Sequence, residues 1–307
     1  AEEQEIAALC AELLNIERVG LDDNFFDLGG NSLLATRLVF QMQERFQVRL
    51  PLVRLFETPT VAGLTRAIAE ARTSPAADDH LFGAITLEEL KSEAVLDDAV
   101  GANGLAYEHM ADPEHILLTG ATGFLGAYLL KGLLEKTRAD VHCLVRANSA
   151  EEGKQRLKKN LEYYQLWEEA FAPRLLALPG DLERPRFGLT DAQYDALAGE
   201  LDVIYHNGAT VNFVYPYRAL KPANVESTHE ALRLASAKRL KPVHFVSSMS
   251  VFMKHGLREG PIYYEDADLD EVGVPHGGYG QSKWVSERLV LAAGERGKPG
   301  RRYILGG

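Results

Sequence analysis

Cysteine is nearly absent from this chain: Cys10 and Cys143 are the two among 307 residues. Both lie in apolar stretches, so they read as small buried hydrophobes rather than as a disulfide or a reactive thiol. No Cys-x-x-Cys or His-Glu-x-x-His spacing occurs, and no metal site is expected. Basic residues are in deficit, 33 Lys and Arg against 44 Asp and Glu, for a formal net charge of -11. A nucleic-acid binder would show a basic face, so that class is excluded. No apolar run approaches the roughly 20 residues of a membrane-spanning helix. The opening Ala1-Glu2-Glu3-Gln4-Glu5 is acidic and helical in character, unlike a signal peptide. A cytoplasmic protein with no nucleic-acid or membrane partner is expected, long enough for two domains.

Two patterns divide the chain. Up to about Arg72, apolar residues fall at helical spacing: Ile6, Leu9, Cys10, Leu13 and Leu14 form one stripe, and Leu33, Leu34, Leu38 and Val39 a second. Val53 and Phe56 lie in a short turn, and Thr60 is a candidate N-cap for a last helix burying Val61, Leu64 and Ile68. A small four-helix, all-α domain over residues 1–72 is expected. Residues 73–110 read as a linker and lead-in, with a charged helical stretch from Leu87 to Ala94. From 111 to 307 short apolar runs alternate with helical segments. Ile116–Leu118, Val141–Val145, Leu175–Leu178, Val203–Tyr205 and Val243–Val246 read as five strands, and Ala127–Lys136 and Asn224–Lys238 as helices. That alternation predicts a Rossmann-type α/β domain with a parallel sheet.

Each unit carries one glycine-rich turn ahead of a helix. In the first, Asp27-Leu28-Gly29-Gly30-Asn31-Ser32-Leu33 places Ser32 at a helix start, with Asn31 as cap, where dipole and free N–H groups favour phosphate. In the second, Thr119-Gly120-Ala121-Thr122-Gly123-Phe124-Leu125-Gly126 joins a strand to a helix. Gly120 would allow the tight turn, Gly123 the approach of a pyrophosphate, and Gly126 close helix–strand packing. The first gap is one residue longer than in the commonest dinucleotide fingerprint. The second strand ends at Arg146 with no acid at its tip, which favours the 2'-phosphate of NADPH over NADH. Arg156 would assist it, although Lys154–Lys159 reads equally as a solvated helix face. Asp181 and Leu182 are expected near the adenine, and Asn207, Gly208 and Ala209 near the nicotinamide half, with His206 structural.

Tyr279 and Lys283 are four apart on one helical face. An ammonium one turn from a phenol lowers the phenol pKa from about 10 toward neutrality, which proton exchange with substrate requires. Val246-Ser247-Ser248-Met249-Ser250 follows the fifth strand, and Ser248 is the candidate donor to a substrate oxygen, with Ser247 its rival. Asn224 is placed at the start of the preceding helix.

The segment Phe25 to Leu33 resembles the peptidyl carrier domains of nonribosomal peptide synthetases. That likeness implies 4'-phosphopantetheine on Ser32, installed by a phosphopantetheinyl transferase. The glycine loop, Ser248 and Tyr-x-x-x-Lys resemble the extended short-chain dehydrogenase/reductase family. Within it, Leu144-Val145-Arg146-Ala147 and Glu93-Ala94-Val95-Leu96-Asp97 look like thioester reductase domains. The resemblance implies a catalytic set of Ser248, Tyr279 and Lys283, cofactor contacts that include Asn224, Tyr279 and Lys283, and NADPH-dependent release of a carrier-bound acyl thioester as an aldehyde or alcohol. Upstream synthetase domains would supply the thioester. Carboxylic acid reductases and α-aminoadipate reductases share these domains, and a non-catalytic docking module or a free-substrate epimerase are the rival readings. In the resembled family another strand and a substrate-binding lobe follow, and both are expected to lie beyond this sequence.

Overall fold

The computed structural model describes residues 2–30, 32–48, 50, 54–55, 58–73, 85–102, 104–105, 112–213, 215–253, 263–264, 267–297 and 300–305. They form two compact units, one of Ala1–Thr86 with Asn212–Tyr217 and Gly277–Tyr279, the other of Leu87–Val211, Arg218–His276 and Gly280–Gly307.

The first unit is helical: α1 (Glu2–Leu14), α2 (Ser32–Phe46) and α3 (Val61–Thr73). Ile6 and Cys10 of α1, Leu38 and Met42 of α2, and Leu64 and Ile68 of α3 are spaced one turn apart and share one core. Thr60 caps α3 as expected, its Oγ1 accepting from Gly63 N at 3.1 Å. Of the fourth helix, residues 54–55 are described and are helical, with Leu55 buried. Asn31, Val53 and Phe56 lie outside the described residues. The loop between α1 and α2 is set by short acidic and amide side chains: Asp23 Oδ2 accepts from Gly20 N and Asn24 Oδ1 from Phe26 N. Phe25 is thereby turned into the core and its N–H donates to Pro59 O at 2.8 Å.

The second unit holds one parallel six-stranded sheet in the order β3-β2-β1-β4-β5-β6. Its strands are β1 (His115–Thr119), β2 (Asp140–Val145), β3 (Leu175–Pro179), β4 (Val203–His206), β5 (Val243–Ser248) and β6 (Gly300–Leu305). Ile116, Leu117 and Leu118 are fully buried although their side chains alternate in direction, because helices cover both faces of such a sheet. Before it, α4 (Leu87–Glu93) buries Leu90. Its end is tied to this unit by the Glu93–Lys221 ion pair, and Asp97 just beyond pairs with Arg233 at 3.0 Å. The crossovers are α5 (Phe124–Lys136), which sets Ala127, Leu130 and Leu134 against the sheet, α6 (Ala150–Tyr163) with Leu157 and Leu161, and α7 (Asp191–Glu200), opened by a Thr190–Gln193 capping box.

Two features depart from the sequence reading. The sheet has a sixth strand: β6 pairs with β5 from Val243↔Gly300 to Ser248↔Leu305. Its apolar run is only Tyr303-Ile304-Leu305, behind a Gly-Lys-Pro-Gly-Arg-Arg stretch that reads as loop. The helix ahead of β5 also begins earlier than Asn224. It runs as α8 (Tyr217–Lys221), a π-turn (Pro222–Glu226) and α9 (Ser227–Ser236). Proline inside a helix removes a donor and crowds the preceding turn, and a π-turn accommodates both. In sequence Pro222 looks like a boundary; in the fold it is the kink. The chain continues through α10 (Leu269–Val272) and α11 (Gly277–Glu295).

Leu118→Ala should lower stability by about 2–5 kcal/mol, because a central strand buried on both faces cannot collapse onto the hole. Urea unfolding followed by circular dichroism measures it.

Candidate functional site

The carboxyl end of β1 leads into the glycine loop. Gly120 has φ +71, and a Cβ there would lie 2.7 Å from the Gly208 Cα. A Cβ on Gly126 would lie 2.8 Å from the Ala121 Cα, so that residue too must be bare for α5 to start where it does. Gly123 differs: a Cβ would meet only the Gly120 carbonyl at 3.5 Å, and its open side faces outward. Thr122, Gly123 and Phe124 are exposed, Leu125 is half-buried, and no side chain caps the first turn of α5. That leaves its N–H groups free for an anion.

Arg146 and Arg156 converge at the tip of β2. Both are exposed, and the Arg156 guanidinium donates to the backbone carbonyl of Arg146. The Lys154–Lys159 stretch lies on α6, where Lys154 is engaged with Ala172 O at 2.7 Å and Lys158 with Glu169 at 2.9 Å. Asp181 and Leu182 follow β3. Asp181 N donates to Phe187 O at 2.8 Å, across a turn in which Arg186, Phe187 and Gly188 all have positive φ. Glu230 holds that turn by accepting from Arg186 N at 3.0 Å.

The loop after β4 is pinned from below. His206 is buried and its Nδ1 lies 3.0 Å from Thr119 Oγ1, which accepts from Gly208 N at 2.8 Å. Its Nε2 lies 3.3 and 3.2 Å from the hydroxyls of Ser227 and Thr228. Burial, aided by the Lys283 charge, pushes the His206 pKa down to about 3, so the ring is neutral. Asn207 Nδ2 donates to Gly120 O at 3.2 Å, while Ala209 is half-buried. Asn224 sits in the π-turn rather than at a helix start, and its amide is consumed: Oδ1 accepts from Thr210 N at 2.7 Å, and Nδ2 donates to Thr210 O and Ser282 Oγ. Its carbonyl accepts from Thr228 Oγ1 and Ser286 Oγ. Asn224 therefore positions the 209–210 loop.

The two candidate serines at the end of β5 point to opposite environments. Ser247 is buried and its hydroxyl donates to Glu287, a wholly buried carboxylate. Ser248 is half-buried, accepts from Ser250 N at 3.2 Å and lies 3.0 Å from Ser250 Oγ. Lys283 Nζ donates to Val246 O at 2.8 Å and lies 4.6 Å above the Phe245 ring. Burial draws its pKa down to about 8, against the upward pull of Glu287. Tyr279 stands one helical turn before Lys283 on α11, its ring edge-on to Phe213 at 5.3 Å. The sequence reading missed Glu287, Ser282 and Ser286; the first repeats the four-residue step of Tyr279 and Lys283, which is the signal that marks it.

Ser32, in the first unit, is the first residue of α2. The preceding loop turns at Gly29, φ +103, and a Cβ on Gly30 would collide with the Phe25 ring.

Comparison with known proteins divides the chain at the same place. Residues 118–303 match the NAD-binding family described as male sterility protein, and residues 4–68 match the phosphopantetheine attachment site. A linear gramicidin synthase polypeptide of Brevibacillus parabrevis is 48% identical over 303 residues, covering 96% of this chain and 6% of that protein. Glycine betaine reductase ATRR of Emericella nidulans is 42% identical over 316 residues, covering 99% of this chain and 24% of that protein. The chain thus spans a minor part of these relatives. The terminal R domain of the myxalamid PKS-NRPS pathway superposes with a TM-score of 0.66 at 44% identity, over 70% of this chain and 55% of that one. An archaeal thiolation-reductase di-domain superposes with 0.60 at 24% identity, over 98% and 62%, a likeness of fold.

His206 has a folded pKa near 3 against about 6.5 unfolded, so between those values the unfolded chain binds the extra proton and stability falls as pH falls. The expected slope is about 1.4 kcal/mol per pH unit below 6.5. His142 and His229, also shifted downward by burial, add to it in the same sense. His206→Gln should flatten the acid limb in denaturation measured from pH 7 to 5.

Proposed function

For a chain that belongs to the male sterility family of NAD-binding proteins and carries a phosphopantetheine attachment domain ahead of it, we propose NADPH-dependent reductive release of an acyl or peptidyl thioester held on Ser32, at the end of a nonribosomal peptide synthetase. The observation that carries the reading is the co-occurrence in one chain of a serine opening α2, a glycine loop leading into α5, and the residues Ser248, Tyr279 and Lys283. A free substrate would need no covalent arm, whereas tethering raises its local concentration.

The residues fit a dinucleotide phosphate. The open side of Gly123 and the uncapped first turn of α5 suit the pyrophosphate, and Arg146 with Arg156 suits a 2'-phosphate where a carboxylate would repel it. Asp181 and Leu182 would border the adenine; Asn207, Gly208 and Ala209 would border the nicotinamide half. A nicotinamide held there would supply the hydride that takes the thioester carbonyl carbon to the aldehyde level, with the carrier thiol as leaving group and the oxidised cofactor as the other product.

The protein's part is electrostatic and positional. Ser248 is the hydroxyl assigned to the carbonyl oxygen, exchanging its contact with Ser250 Oγ for the substrate, since Ser247 is buried and engaged by Glu287. Tyr279 provides the proton that neutralises the developing oxyanion. Lys283, mostly an ammonium below about pH 8, favours the phenolate and thereby eases that transfer. Glu287 keeps Lys283 charged despite its burial. Asn224 holds the loop under the nicotinamide half. A phosphopantetheinyl transferase to load Ser32, upstream synthetase domains and a cytoplasmic setting complete the proposal. Reduction in an aminoadipate reductase or carboxylic acid reductase would use the same residues on another acyl group.

Intact-protein mass after acyl-phosphopantetheine loading, before and after NADPH, tests the scheme. Wild-type protein should lose the acyl mass, Ser32→Ala should never gain it, and Tyr279→Phe should load but release about 10²–10⁴-fold more slowly. Retention of the acyl group by loaded wild-type protein with NADPH would leave a carrier and docking module in its place. Arg146→Ala should raise the NADPH KM about tenfold or more and leave the NADH value nearly unchanged, by initial rates with each cofactor.

A further inference from the structure

At the amino ends of the strands, away from the glycine loop, three donor side chains meet. His115 opens β1, His142 lies on β2, and Glu200 closes α7. The strand register pairs Leu117 with His142, so His115 and His142 emerge on the same face of the sheet. Glu200 is placed by the backbone that follows it: Asp202 N donates to His115 O at 2.9 Å, and the Asp202 carboxylate accepts from the N–H groups of Glu114 and His115. Three segments distant in sequence are thus fixed to one another independently of the imidazoles.

We propose that His115, His142 and Glu200 form a zinc(II) site that clamps β1 and β2 to the end of α7. The spacing of the donors supports it. One ligand atom from each residue lies within 4.8 Å of the other two. His142 Nε2 and His115 Nδ1 are 3.4 Å apart. Two imidazole nitrogens bound to one tetrahedral zinc at about 2.0–2.1 Å lie about 3.4 Å apart, whereas a direct hydrogen bond is usually shorter. Two imidazoles with one carboxylate suit zinc and related transition ions; calcium and magnesium prefer oxygen alone. Both histidines are half-buried, and burial disfavours protonation of His142, with His115 adding to that and Asp140 and Glu200 opposing it. Glu200 is exposed, so water completes the coordination. Four residue steps along β1 separate His115 from Thr119, about 13 Å, which puts the ion out of reach of the cofactor. Its role is mechanical: binding to the folded state alone raises stability.

The test is zinc titration of the chelator-treated full chain against a chromophoric competitor, with cobalt(II) as a spectroscopic stand-in and thermal unfolding alongside. One equivalent should bind, cobalt should show tetrahedral visible absorption, and the unfolding midpoint should rise with zinc. His142→Ala and Glu200→Gln should each weaken binding about tenfold or more and remove the midpoint rise; His142→Gln serves if the alanine variant does not fold. NADPH affinity should be the same with and without zinc, so the outcome is independent of the reductase reading. Absence of a one-equivalent site in wild-type protein, or variants that bind as wild type does, would overturn the proposal.

Discussion

The His206 imidazole stands between Thr119 of β1 on one side and Ser227 and Thr228 beside the π-turn on the other. Because it is buried and uncharged, it can mediate between hydroxyls without bringing a proton's charge into the centre of the sheet. Thr119 Oγ1 passes the constraint to Gly208, and Asn207 passes it to Gly120. On the far side, the Asn224 carbonyl and amide reach Thr228, Ser282 and Ser286. One chain of small polar groups therefore registers the glycine loop, the loop after β4 and α11 against one another. Leaving any member unpaired would cost about 1–3 kcal/mol. In the proposed reaction, that is the condition under which Tyr279 on α11 and a cofactor bound at α5 would keep their separation.

The same economy separates the two serines after β5. Strand alternation sends Ser247 inward to Glu287 and leaves Ser248 toward the opening. A buried carboxylate one turn beyond a buried lysine also makes sense energetically: Glu287 offsets part of the desolvation cost of Lys283, and Ser247 takes up part of the carboxylate's hydrogen-bonding capacity. In the carrier unit the economy is simpler. A glycine turn packed on Phe25 delivers Ser32 to the first position of α2, and four short polar or glycine residues do the work that a larger domain would assign to a pocket.

Much of this was legible in sequence, for identifiable reasons. Ile116–Leu118 and Val243–Val246 are apolar runs bounded by polar turns, and buried parallel strands have to read that way. Thr60 is followed by helix-spaced apolar residues, and it caps α3. The glycine spacing announced a close approach, which Gly120 and Gly126 make. What escaped depends on partners remote in sequence. The strand β6 is held by its register with β5, since its own composition is that of a loop. Pro222 argues for a break in sequence, and only the fold shows the π-turn that carries the helix through it. His115, His142 and Glu200 carry no spacing signature, because β1, β2 and α7 bring them together from three separate turns of the chain.

The burial of the two cysteines has a chemical consequence for the proposed handling of a thioester. Acyl groups pass readily from one sulfur to another when a thiolate is at hand, and the thiol form is unreactive by comparison. Cys10 is sealed in the carrier core with its pKa pushed up to about 12, and Cys143 is wholly enclosed in β2 with its pKa raised further. Neither can compete for an acyl group at neutral pH. A cargo attached through a pantetheine sulfur would meet no rival nucleophile of its own kind in this polypeptide, so its fate would rest with hydride delivery alone.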